Sequence, residues 1–67
     1  MSIELALYKI LKQRRYPLAK FARDSGITRS HLYRILDGSS SPTLETLKQI
    51  SETLELPLVE LVGLIDH

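Results

Sequence analysis

The chain has 67 residues, 43% of them hydrophobic, no cysteine and a formal net charge of +1. That length allows one domain with a small core, and the lack of cysteine excludes a disulfide framework and thiolate-held metal. No apolar stretch approaches the roughly 20 residues that span a bilayer, and MSIELALYK lacks the basic start and cleavage site of a signal peptide, so the expectation is a soluble, cytoplasmic protein with no membrane partner.

Apolar residues recur at helical spacing along almost the whole chain, and no segment alternates cleanly enough for a strand, which predicts an all-α fold. Ser2 is placed to cap a first helix in which Ile3, Leu7, Ile10 and Leu11 recur at three- and four-residue steps. That helix ends near Arg14 and Arg15, whose charge suits a helix C-terminus. Tyr16-Pro17 breaks the pattern, and Pro17 opens a short second helix that runs to Ser25, with Phe21 and Ala22 inward and Gly26 ending it. Thr28 caps a third helix, Arg29 to Leu36, with Leu32, Ile35 and Leu36 on its inner face and Arg29, Ser30, Tyr33 and Arg34 outside it. Gly38 stops it in the left-handed conformation that glycine tolerates.

Ser39-Ser40-Ser41-Pro42 reads as a loop, after which Ser41 or Thr43 caps a fourth helix carrying Leu44, Leu47, Ile50 and Leu54. A fifth helix begins at Pro57, with Leu58, Leu61, Val62 and Ile65 on one stripe and Leu56, Val59 and Leu64 on others. No repeat, low-complexity tract or linker divides the chain, so residues 1–67 are expected to form a single compact five-helix bundle.

The near-neutral total hides a division. From Lys9 to Arg34 there are eight basic residues against one acid, Asp24; from Ile35 to His67 there is one basic residue, Lys48, against six acids. A basic half and an acidic, leucine-rich half imply two surfaces with different partners. Within the basic half, small Ala22, then Gly26, Leu32 and Ile35 follow the spacing of a helix-turn-helix. A larger side chain at 22 would push the second helix from the third, Gly26 lets the chain turn without a clashing Cβ, and Leu32 and Ile35 fasten the third helix from beneath.

Over about residues 5 to 62 the chain resembles the Cro and phage-repressor (XRE-type) helix-turn-helix family, on the strength of LAKFARDSGITRSHLYRILDG followed by SSPTLETLKQISETLEL. The resemblance implies a lambda-repressor-like bundle whose third helix enters the major groove of double-stranded DNA. Two positions depart from the family pattern. The usual Gln at the start of the second helix, which holds a phosphate in the family, is Leu18, and the usual acid two residues before the closing glycine is Leu36. The run SHLYRILDGSSSPTLETL is similar to addiction-module antidote (antitoxin) proteins of the HigA type. That likeness implies a small bacterial or phage-encoded regulator that represses its own operon and has a cognate toxin as a possible partner.

Side-chain chemistry assigns roles within such a site. Arg29, in the first turn of the third helix, is the first candidate for reading a base, since its fork fits guanine O6 and N7. Ser30 suits a base edge or a thymine methyl. Arg34 reaches a base edge or a phosphate, unless it merely pairs with Asp37. Tyr33 is either a base contact or a half-buried aromatic resting on the fourth helix. Arg14, Arg15 and Lys20 are candidate phosphate contacts, with Lys12 adding to the same attraction. His31 joins them as a phosphate-side histidine rather than a metal ligand, because the other histidine is the distant His67. Ser39 and Ser40 complete the phosphate set, and plain turn chemistry explains them equally well.

No nucleophile, base and orienting acid stand at a recognisable spacing, no glycine-rich phosphate loop is present, and no cofactor or metal site is expected, so the chain is not read as an enzyme. The fifth helix carries more apolar surface than one small core can bury. Leu56, Val59, Val62 and Leu64 are therefore the expected interface of a homodimer. The competing reading is a helical module that holds a toxin or other protein through the acidic half.

Overall fold

In the computed structural model the described residues are 2–65, the last two by their helical backbone alone. They form five helices in order: α1 (Ile3–Gln13), α2 (Leu18–Ser25), α3 (Arg29–Leu36), α4 (Leu44–Leu54) and α5 (Leu58–Ile65). None is long and apolar enough to cross a membrane. The starts are local chemistry. The hydroxyls of Ser2, Thr28 and Thr43 accept the backbone N–H of Leu5, His31 and Thr46, at 3.4, 3.2 and 3.2 Å, each satisfying a donor that the first turn cannot pair internally. Of the two candidate caps for α4 it is Thr43 that serves, and Pro17 stands before α2 with no side-chain cap.

The helix ends share one device. Gly26 (φ +77°) and Gly38 (φ +82°) turn the chain left-handed after α2 and α3, but Arg15 (φ +51°) and Glu55 (φ +57°) do the same after α1 and α4. In three of these ends two amides fold back on the last carbonyls: Arg15 and Tyr16 on Lys12 and Leu11, Gly38 and Ser39 on Ile35 and Arg34, Glu55 and Leu56 on Glu52 and Ser51, at 2.9–3.2 Å. A Cβ on Gly26 would meet nothing within 4 Å. The glycine is required by the sign of φ and not by a crowding neighbour.

α1 packs on α3 and α5, α2 on α3 and α4, and α4 on α5. Between them lie Leu7, Leu11, Phe21, Ala22, Ile27, Leu32, Ile35, Ile50, Leu54 and Leu61, all buried. Fully burying one such leucine, isoleucine or phenylalanine stabilises the fold by about 1.5–3 kcal/mol. Tyr16 meets Phe21 edge to face, with ring centroids 5.3 Å apart. The two buried polar side chains of α4 are both satisfied, Thr46 by the Thr43 hydroxyl at 3.0 Å and Ser51 by the Lys48 carbonyl at 2.9 Å.

One expectation about the core is corrected. Leu44, expected on the inner stripe of α4, is 61% exposed, because it opens the first turn and no neighbouring helix covers it. On α5, Leu61 is fully buried while Val62, named with it on one stripe and also as a dimer-interface candidate, is 38% exposed. The side chains of Leu64 and Ile65, and both residues 66 and 67, lie outside the described residues.

Candidate nucleic-acid interface

α3 is held from beneath by Leu32 and Ile35, both fully buried, and Leu36 is half-buried at its last turn. At about 100° per residue, Arg29, Ser30, Tyr33 and Arg34 fall within an arc of about 140° on the outer side. All four are exposed. Among the described residues the one ion pair within 4 Å joins Lys20 to Asp24 at 3.9 Å, so Arg29 and Arg34 carry no neutralising carboxylate. Asp37, the expected partner of Arg34, instead accepts the Ser39 N–H at 2.8 Å and the Ser39 hydroxyl. Those bonds hold its carboxyl below the ordinary value of 3.8, with nearby Arg34 adding a smaller pull in the same direction.

Tyr33 does not rest on α4. It is 59% exposed and stands over a groove shared with α1 and the α1–α2 turn. The physical reason is angular, since Tyr33 and Leu36 lie on the flank of α3 that packs against α1.

The candidate phosphate contacts separate into free and engaged groups. Arg14 donates from Nη1 to the Leu54 carbonyl at 2.5 Å, capping the C-terminus of α4 across 40 positions of sequence. Its guanidinium is thus already employed in joining α1 to α4. Lys20 is shared between Asp24 and the face of Tyr16, 5.2 Å from the ring centroid. The Tyr16 hydroxyl donates to Asp24, and that bond raises the phenol above its ordinary value of 10.0. The backbone amides of Ser39 and Ser40 both turn back to the Arg34 carbonyl, at 3.0 and 3.1 Å, so turn chemistry claims the N–H groups expected to meet phosphate. His31 is half-buried in the first turn of α3, and Arg15 stands exposed at the left-handed turn after α1.

One cation escaped the sequence reading as a site residue. Arg23, exposed in the last turn of α2, shares an open cleft with Gly26, Thr28 and Arg29, which places two arginines on either side of the turn between α2 and α3. The signal was available, since Arg23 lies about 150° around the helix from the middle of the buried Phe21–Ala22 face and so points away from the core.

The helix-turn-helix family profile matches residues 7–61. An uncharacterized protein from Haemophilus influenzae is 38% identical over 39 residues, which cover 58% of this chain and 40% of that protein. The chain thus spans less than half the length of that relative. No solved structure matches. A buried Ala22 facing a left-handed Gly26, an α3 fastened by Leu32 and Ile35, and a match across 7–61 describe one unit. The chain belongs to the Cro and repressor (XRE-type) helix-turn-helix family, whose members are DNA-binding transcription regulators and not enzymes.

Proposed function

We propose that the chain is a sequence-specific repressor that binds an inverted-repeat operator as a homodimer and regulates its own operon in a bacterial or phage-infected cytoplasm. The observation that carries this reading is the outer face of α3, where Arg29 and Arg34 are exposed and make no ion pair within 4 Å among the described residues. Arg29 reads a guanine through O6 and N7, Ser30 and Tyr33 meet neighbouring base edges, and Arg34 takes a base or a phosphate one turn along. Arg15, Lys20, Arg23 and His31 supply phosphate attraction, with the Ser40 hydroxyl at the far end of α3, while Arg14 and Ser39 serve chiefly the fold.

Dimerisation is supported by α5, where Val59 is 76% exposed and Val62 partly so. Leu56 contributes less, being half-buried against the protein's own core. A two-fold pairing there sets two copies of α3 about one DNA turn apart, roughly 34 Å. The same valines support the second reading, an antidote that holds a toxin or other protein through its acidic half. Mobility-shift titrations against genomic and random fragments at two salt concentrations test the first reading. It expects a preferred fragment, bound steeply with protein concentration and more weakly at high salt. Equal affinity for all fragments overturns it, and the acidic half then becomes the functional surface.

A further inference from the structure

A groove of about 530 Å³ lies between α1, the turn after it and α3. Its size falls within the range of small-molecule sites, and such sites combine apolar walls with a few convergent polar groups. Leu11, Leu18 and Leu36 provide the aliphatic wall. Leu18 and Leu36, though 18 residues apart in sequence, line the same groove. Both pack partly against the core and turn their remaining apolar surface to the groove. All three tyrosines of the chain, Tyr8, Tyr16 and Tyr33, line it as well.

The charge of the lining has one sign. Lys12 and Arg15 border the groove, and among the described residues no carboxylate lines it. The Lys12 ammonium donates to the Tyr8 hydroxyl at 3.1 Å and lies 5.3 Å from that ring's centroid. Arg15 has no carboxylate within 4 Å among the described residues. Aromatic walls favour a planar apolar body through offset and edge contacts, and the two cations favour one negative charge at its end.

We propose that this groove binds a small aromatic carboxylate, its ring against Leu18, Leu36 and the tyrosines and its carboxylate at Arg15 and Lys12. The groove shares Arg15 and Tyr33 with the proposed DNA face, but its test uses the ligand alone and does not depend on the operator.

The probe is sodium 2-naphthoate, titrated into the full chain while the tyrosine ring resonances are followed by NMR. With every tyrosine at the groove, a bound naphthoate shifts all three sets saturably, and neutral 2-naphthylmethanol binds more weakly. Leu18→Gln weakens naphthoate binding by about tenfold, as expected when a polar amide enters an apolar wall. Should that variant fold poorly, Tyr8→Ala at an exposed position gives the same weakening without threat to the core. Absence of saturable shifts at several millimolar naphthoate overturns the proposal. So do shifts that persist unchanged in both variants, which would place the ligand elsewhere. Tyrosine shifts that depend on protein concentration without naphthoate, and that persist in Val59→Glu where the proposed α5 contact is broken, overturn it in favour of a second copy filling the groove.

Discussion

α3 and α5 are both eight residues long, and each is fixed to the core by fully buried aliphatic residues, Leu32 and Ile35 in one and Leu61 in the other. Their outer faces are opposites. α3 shows Arg29, Ser30 and Arg34 to solvent, while α5 shows Val59 and Val62. Anchoring is therefore the same problem solved twice, and the unanchored side alone separates a surface that attracts a polyanion from one that gains by leaving water. A small domain has few residues to spare, so nearly every side chain not needed for the core is available for a partner.

The largest effect is expected where the apolar face is charged. Val59→Glu puts a carboxylate into the proposed two-fold contact, leaving the core untouched because Val59 is mostly exposed. Circular dichroism should show an unchanged helical monomer, sedimentation should show loss of the dimer, and operator affinity should fall by about a hundredfold, since two linked half-sites become two independent ones. If the variant still binds as tightly as the original, α5 is not the dimer surface and the contrast with α3 loses half its meaning.

Arg29→Ala removes charge from the other face. We expect a loss of about 1–3 kcal/mol on the preferred site with relaxed choice at one base position, whereas Arg15→Ala should weaken all DNA alike and lower the salt slope by about one. Competition titrations against single-base operator variants distinguish the two. Equal losses on specific and random DNA for Arg29→Ala would move base reading to another residue of α3.

The contrast extends to how the two faces are introduced. α3 ends on a left-handed glycine, Gly38, while the turn that leads into α5 uses a left-handed glutamate, Glu55. Gly38→Ala should destabilise by about 1 kcal/mol, and Glu55→Gly should stabilise by up to about the same amount, because the conformational penalty is added in one case and relieved in the other. Denaturant midpoints at unchanged slope measure both. A Glu55→Gly protein less stable than the original would show that its side chain contributes more than its backbone conformation costs.

These elements also mark what could be read without the structure. The caps Ser2, Thr28 and Thr43 and the ends at Gly26 and Gly38 were legible because each is a contact within a few residues of chain. So was the outer face of α3, which follows from helical periodicity once Leu32 and Ile35 are placed inside. Periodicity gives an angle but not a cover, and hence Leu44 on the apolar stripe of α4 proved exposed, and of the two readings of Tyr33 the half-buried rest on α4 fell away. The left-handed turns at Arg15 and Glu55 carried no glycine to announce them. Arg14 could not be separated from its neighbour Arg15 as a charge, because its partner, the Leu54 carbonyl, lies 40 residues away. The groove needed the same long-range step, since Leu18 and Leu36 come to line one groove only when α3 packs against both α1 and α2.

The smallest expected effect is a pH dependence built into the end of α3. The Asp37 carboxylate accepts both the N–H and the hydroxyl of Ser39, and these bonds lower its value below the ordinary 3.8. A carboxyl lowered by folding contributes stability that is fully present above its unfolded value and is lost as pH falls through the folded one. The loss should therefore begin near pH 3.8 and continue below it. Asp37→Asn keeps a carbonyl oxygen to accept from Ser39 but removes the titration. Thermal melts of the two proteins should run parallel at neutral pH and converge below pH 3.8, with the original descending more steeply. The group is fully exposed, so solvent and salt weaken the effect, and raising the ionic strength should narrow the difference further. Acid limbs of equal slope in both proteins would mean that the Ser39 bonds hold the turn without favouring the charged form, leaving the end of α3 to Gly38 alone.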